Sequence, residues 1–214
     1  MLSSFASAII GGLFVLVGVI STHWLNERKQ RKDKINRDIR LLKAFKSDLM
    51  CLFGAYMASA GNSVDACRKD DFVELEYKAE QDYFAFFHEN ASHLSDFSNS
   101  DIGLKINVCY VTFKGLLDTF SLHTEMINMY VGLQLENMEN GDKDKQIEVI
   151  ANQLRHYSPK LIEHHDEAIR LYNEVAQELN TEVDALLIIN TQSKSYEKPM
   201  MLVGTLLLLA LLWA

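Results

Sequence analysis

Residues 102–130 read IGLKINVCYVTFKGLLDTFSLHTEMINMY, a stretch without proline. Steps of four and three residues place side chains on one side of an α-helix, whereas a half-buried strand needs steps of two. The stretch therefore predicts a long helix, opened by Asn99 or Ser100 as N-cap, with a coiled-coil-like seam against other helices. The seam consists of Ile102, Ile106, Cys109, Phe113, Leu116, Phe120, His123, Ile127 and Tyr130.

A second seam of the same kind follows the turn signal at residues 140–142. Because Ser158 and Pro159 lie inside it, we expect either a kink or a new helix with Pro159 in its first turn. A one-place slip after Val175 is a stutter, which changes the local winding of a bundle. This predicted seam consists of Ile147, Ile150, Leu154, Tyr157, Leu161, His164, Ala168, Leu171 and Val175, then Leu179, Leu186 and Ile189.

A third long helix precedes these two, since no glycine or proline interrupts residues 24–53. Its apolar spacing predicts a basic stalk helix over residues 26–62 that enters the bundle and ends at Gly61-Asn62-Ser63. The aromatic-rich residues 64–100 predict one or two short helices that cap the core. With two prolines and ten glycines in 214 residues, the chain is predicted to be all-α. Together with this stalk helix, residues 63–198 would form an elongated cytoplasmic bundle of three long antiparallel helices.

Both ends of the chain lack charge, over residues 1–22 and again over residues 200–214. A helix needs roughly 20 apolar residues to cross about 30 Å of hydrocarbon. We therefore expect two transmembrane helices, over residues 1–25 and 199–214, flanking the bundle. The second would reach only about 24 Å, so a single-span anchor whose C-terminal helix packs elsewhere is the alternative.

A basic stretch follows the first apolar segment. Residues 27–46 hold nine basic and three acidic side chains, leaving 12 basic and 26 acidic side chains in the rest of the chain. Because Lys and Arg near a transmembrane end stay cytoplasmic, both termini are predicted to be extracytoplasmic and the central domain cytoplasmic. The basic side chains would contact anionic lipid headgroups, whereas direct nucleic-acid binding is not expected from an otherwise acidic surface. The headgroup candidates are Arg28, Lys29, Arg31, Lys32 and Lys34.

Small residues recur along one face of the first apolar segment, where they allow helix backbones to approach closely in lipid. This face would receive either the chain's own second helix or other copies of the chain, which would make a homo-oligomer. Its members are Ser4, Ala8, Gly11, Gly12 and Gly18.

No residue pattern for catalysis, a cofactor or a metal stands out. The acidic and histidine-rich segment 163–167 has consecutive side chains that point around a helix instead of converging, which favours a polar face with one seam histidine. His123 and His164 occupy seam positions on different helices and are predicted to be buried near one another. They would be either hydrogen-bonded core histidines or a pH or conformational switch, since histidine titrates near neutral pH.

The layout resembles the two-transmembrane effectors of bacterial anti-phage systems, notably those encoded beside retrons. The resemblance rests on the apolar segments Leu2–Trp24 and Met200–Ala214, the basic residues 28–46 and the helical domain between them. It implies a toxin-like inner-membrane protein of abortive infection, restrained by a reverse transcriptase with its DNA–RNA product until infection releases it. A passive inner-membrane scaffold for a cytoplasmic complex is the alternative function. An enzyme that depends on His123, His164 or Glu167 is a third.

Overall fold

A computed structural model of the chain describes residues 2–77, 84–135 and 141–195, and it is all-α, as the sequence predicts. Three helices are long: α1 (Leu2–Tyr56), α4 (Ser100–Leu135) and α5 (Gly141–Ser195). Two are short: α2 (Asn62–Ala66) and α3 (Ala85–Asn90). The chain divides into two compact units, residues 42–181 and residues 1–41 with 182–214.

Within the unit of residues 42–181, α1 and α4 run in the same direction. Phe45 lies against Tyr110 with ring centroids 6.3 Å apart. Further along both helices, Tyr56 lies against Phe120 with ring centroids 6.0 Å apart. The prediction of three antiparallel helices is therefore wrong for this pair. The physical reason is the long connection of residues 57–99, which returns the chain to the end of the bundle where α1 entered.

Helix α5 runs antiparallel to α1 in the same unit. Lys46 Nζ donates to Asn180 Oδ1 over 2.6 Å, and further along α1 the Tyr56 hydroxyl contacts His165. The α-helical backbone of α5 continues through Pro159, so no new helix begins there.

The α4 seam is confirmed. Its first eight members, from Ile102 to Ile127, are all buried, and only Tyr130 at the end is half-buried. Asn99 Oδ1 accepts a hydrogen bond from the Asp101 backbone N–H over 3.2 Å, which caps the helix as expected.

The α5 seam lies one residue away from its prediction at every second position. Leu154, Leu161, Ala168 and Val175 are buried as expected. At three alternate positions, however, the buried residue is the next one along the chain: Ala151, Ser158 and His165 in place of Ile150, Tyr157 and His164. The apolar pattern favoured the larger Ile150 and Tyr157. It missed that the polar groups of Ser158 and His165 are buried and bind other parts of the bundle.

The connection from α1 to α4 stays helical for longer than predicted. A π-helical turn (Met57–Gly61), α2 and a 3₁₀ turn (Cys67–Lys69) replace the expected end at Gly61-Asn62-Ser63. Residues 73–77 then form neither helix nor strand, and their backbone is bonded to buried side chains of α4 and α5. Val73 N–H donates to Ser158 Oγ over 3.0 Å, and Thr124 bonds both the N–H and the carbonyl of Tyr77 at 3.0 Å.

Short helices cap the core, as predicted, through α3 and a 3₁₀ helix over Ala91–Asp96. Phe86 and Phe97 pack edge-on against Phe45, with ring centroids 5.1 and 6.4 Å away. Gly103 allows the 3₁₀ helix to approach α4, because a Cβ there would overlap the Leu94 carbonyl.

In the other unit, Ile39 of α1 and Val183 and Leu186 of α5 are buried. Asn190 Nδ2 also donates to Asn36 Oδ1 over 3.0 Å. Among the residues that the structure describes, none of the helices combines the length and the apolar content that crossing a bilayer requires. The predicted second span, residues 199–214, lies outside the described residues, as do the side chains of residues 2–11.

Candidate functional site

A tyrosine and a histidine form a hydrogen-bonded pair inside the unit of residues 42–181. Tyr56, the last residue of α1, places its hydroxyl 2.5 Å from Nδ1 of His165 on α5. Tyr56 is 1% exposed and His165 is 0% exposed. The two side chains therefore join α1 to α5 without contact to solvent.

The pair continues to the surface through charged groups. His165 Nε2 lies 3.4 Å from Asp65 Oδ1, and the same carboxylate accepts a hydrogen bond from Arg68 Nε over 2.8 Å. The two terminal nitrogens of Arg68 both donate to the Asp166 carboxylate. Bidentate pairing of this kind has fixed geometry as well as strength. The result is one connected network from Tyr56 to the partly exposed Arg68, named here the Tyr56–Arg68 network.

Burial sets the protonation state at the centre of this network. It lowers the pKa of His165 below its usual 6.5, and the nearby carboxylate of Asp65 offsets only part of that effect. A neutral ring with its proton on Nε2 satisfies both neighbours, since Nε2–H donates to Asp65 and Nδ1 accepts from the Tyr56 hydroxyl. Burial also raises the pKa of Tyr56, so its hydroxyl keeps its proton. Hydrogen bonds from Arg68 lower the pKa of Asp166.

His123 and His164 were predicted to be buried near one another, and the structure buries only His123. His123 is buried on α4 as expected, stacked on Tyr157 with ring centroids 6.4 Å apart. His164 is exposed, so its predicted seam position is wrong, and its Nδ1 lies 2.8 Å from Thr119 Oγ1. Thr119 donates to the Gly115 carbonyl and so accepts from the His164 ring.

His123 carries a polar ring in an apolar setting. Neither ring nitrogen has a hydrogen-bond partner of ordinary geometry among the described residues. Burial lowers its pKa, and the Leu75 backbone opposes this more weakly. A switch role for His123 stays a prediction.

The segment 163–167 does point around the helix, as predicted, with one seam histidine, but that residue is His165. His164 faces Thr119, Asp166 faces Arg68, and Glu167 pairs with Arg170 over 2.6 Å. Within residues 2–77, 84–135 and 141–195 no three histidine, cysteine, aspartate or glutamate side chains converge as metal ligands would. The Tyr56 hydroxyl is buried and already bonded to His165, so the network is better placed to join helices than to bind a substrate.

The residues predicted to contact lipid and to pack in the membrane are on α1. Lys29, Arg31 and Lys34 are exposed, whereas Arg28 and Lys32 are half-buried. The Arg28 guanidinium lies over the Trp24 ring at 4.2 Å. Gly12 and Gly18 face open space. The surroundings of Ser4, Ala8 and Gly11 lie outside what the structure describes.

Sequence reasoning missed Tyr56, Asp65, Arg68 and His165 as a connected group. One signal could have identified His165. Ser158 and His165 lie seven residues apart, and each follows a buried leucine, Leu154 or Leu161, by four residues, so they share the buried face of the helix. Comparison with protein-family models, curated proteins and solved structures finds no match to this chain.

Proposed function

We propose that the chain is a membrane-anchored, toxin-like effector of bacterial anti-phage defence, which damages the inner membrane when an inhibitory partner releases it. Two terminal spans, over residues 1–25 and 199–214, would hold the bundle on the cytoplasmic side. The inhibitory partner would be a protein or nucleoprotein complex, by resemblance a reverse transcriptase with its DNA–RNA product. The main observation in favour is the apolar character of α1 ahead of its basic stretch.

The apolar side chains at residues 15–20 of α1 are exposed all round the helix. Those of Val15, Leu16, Val17, Val19 and Ile20 are between 58% and 68% exposed. A helix that is apolar all round is stable when lipid or protein surrounds it, but not when water does. An environment of lipid accounts for this pattern.

The polar boundary of this segment fits a headgroup layer. Trp24 stacks with Arg28, and the exposed basic side chains of Lys29 and Arg31 follow within two turns. Amphipathic aromatic rings favour the membrane–water interface, and each Lys or Arg near an anionic leaflet contributes about 1 kcal/mol to binding.

The bundle would be the regulated element. Helix α1 is continuous from Leu2 to Tyr56, so the helix that carries the apolar segment also ends at the hydrogen bond to His165. A partner that holds residues 42–181 in the folded arrangement would thereby act on the same helix that enters the lipid. Release would then require loosening of buried contacts, such as the Tyr56–Arg68 network.

The test is expression of the chain alone in bacteria, with growth and propidium uptake measured after induction. A variant with Gly11→Leu, Gly12→Leu and Gly18→Leu keeps the segment apolar and removes its small-residue face. We expect growth arrest and dye uptake with the parent chain and their loss in the variant. Normal growth and dye exclusion at high levels of membrane-bound parent chain would contradict the proposal and favour the scaffold function.

A further inference from the structure

Residues 72–77, named here the strap, lie across α4 and α5 and are fastened to both helices. The Val73 N–H donates to Ser158 Oγ of α5 over 3.0 Å, and Thr124 Oγ1 of α4 bonds both the N–H and the carbonyl of Tyr77 at 3.0 Å. Because residues 73–77 form neither helix nor strand, these side-chain hydrogen bonds hold their backbone in place. A segment held in this way can open while the helices beside it stay folded.

The side chain of His123 lies buried beneath the strap. Its ring is 0% exposed and stacks on Tyr157 of α5 with ring centroids 6.4 Å apart, and the backbone of Leu75 in the strap lies beside it. Neither ring nitrogen has a hydrogen-bond partner of ordinary geometry among the described residues. The strap therefore separates from water a polar ring that water would solvate.

No charged side chain in the described part of the chain offsets the cost of a proton on this ring. Burial lowers the pKa of His123, and the backbone of Leu75 opposes this effect only weakly. The titratable and charged groups on the surrounding elements are the stacked Tyr157 of α5, the exposed Glu74 and Glu76 of the strap, the exposed Glu125 of α4, and Arg155 and Asp71, which pair with each other over 2.7 Å at the surface.

We infer that the strap is a pH-sensitive closure over His123, which opens as the pH falls so that water can solvate the protonated ring. With the strap closed, the buried ring stays neutral. With the strap open, the ring has its ordinary pKa of about 6.5 and takes up a proton. The closed arrangement is therefore fully favoured above pH 6.5 and is progressively lost below it. The inference is independent of the proposed function, since it concerns the unit of residues 42–181 alone.

The size of the effect follows from the proton that the open strap binds. The open population rises in proportion to one plus the ratio of protonated to neutral His123, a factor of about 1.1 at pH 7.5 and about 11 at pH 5.5. The strap should therefore be open about tenfold more often at the lower pH. Opening would uncover Phe72, which is buried with Ile127 and Leu154, and so loosen the connection between α4 and α5.

Hydrogen–deuterium exchange of the full chain in detergent, read by mass spectrometry of peptides over residues 72–77, tests the inference. After correction for the intrinsic effect of pH on exchange, we expect the protection of the Val73 and Tyr77 amides to be about tenfold lower at pH 5.5 than at pH 7.5. His123→Leu should abolish this difference. The matched control, His156→Gln, changes an exposed histidine of α5 and should keep it. Equal protection at both pH values in the parent chain, or the same tenfold loss in His123→Leu, would overturn the inference.

Thr124→Val provides a second test that leaves His123 in place. It removes the hydroxyl that bonds Tyr77, so strap protection should fall at both pH values while the tenfold difference between them stays. Amides of residues 106–120 in α4 report opening of the whole bundle and should be better protected than the strap. Equal protection of the strap and of α4 at each pH would show that the strap opens only when the bundle unfolds, which contradicts a local closure.

Discussion

Removal of one buried oxygen atom should measure how much the Tyr56–Arg68 network stabilises the bundle. Tyr56→Phe deletes the hydroxyl that donates to Nδ1 of His165 and changes no other atom. The imidazole nitrogen remains buried without a donor, and an unsatisfied buried acceptor costs about 1–3 kcal/mol. Because 1 kcal/mol shifts the melting temperature of a chain of this size by about 2–4 °C, the loss is measurable by thermal unfolding followed by circular dichroism in mild detergent.

Tyr172→Phe is the matched control. Tyr172 stacks on Phe53 with ring centroids 3.9 Å apart, so this change also removes a hydroxyl from a packed tyrosine, but one outside the network. Its effect should stay within about 0.5 kcal/mol.

A double-mutant cycle isolates the pair. Tyr56→Phe combined with His165→Leu should destabilise less than the sum of the single changes, because both partners are then apolar. If Tyr56→Phe behaves like Tyr172→Phe, or if the double variant equals the sum of the singles, the hydrogen bond does not stabilise the bundle and this reasoning is wrong.

Two further predictions concern packing and pH. Gly103→Ala should destabilise the chain by about 1–3 kcal/mol, because its methyl group meets the Leu94 carbonyl, whereas Gly132→Ala, which faces open space, should be neutral or stabilise by up to about 1 kcal/mol. Equal melting temperatures for the two variants would contradict the close approach at Gly103. Burial lowers the pKa of both His123 and His165 below 6.5, so the unfolded state takes up protons first as the pH falls. Stability should be fully present above pH 6.5 and fall below it by up to about 1.4 kcal/mol per pH unit for each histidine, until the folded ring titrates. His123→Leu should make that pH profile less steep, and an unchanged slope in this variant would show that His123 does not contribute.

The fold could be predicted from the sequence where the buried side chains of a helix are also its large apolar ones. Every large apolar residue of the α4 seam from Ile102 to Phe120 is buried, because α4 packs its largest side chains inward. On α5 the periodicity was right, but the exact register was not. Ser158 and His165 are buried because the backbone of residues 73–77 and the Tyr56 hydroxyl need partners there, and that need is created by tertiary structure.

The direction of α1 relative to α4 could not be derived from local pattern either. A connection of residues 57–99 is long enough to return the chain to either end of a bundle, so sequence spacing leaves the choice open. The same connection supplies Asp65 and Arg68, which meet α5 only after the chain has folded. The candidate site could therefore not be predicted from the sequence, although the histidine-rich segment that contributes to it could be recognised there.

Release of a trapped dye from vesicles that contain anionic lipid tests the central claim, that the free chain damages a membrane through its apolar ends. The purified full chain would be reconstituted beside a variant whose residues 1–25 are replaced by an unrelated single-span anchor. The account predicts rapid dye release by the parent chain and none by the variant at equal membrane density. Retention of dye by vesicles that carry the inserted parent chain would contradict it.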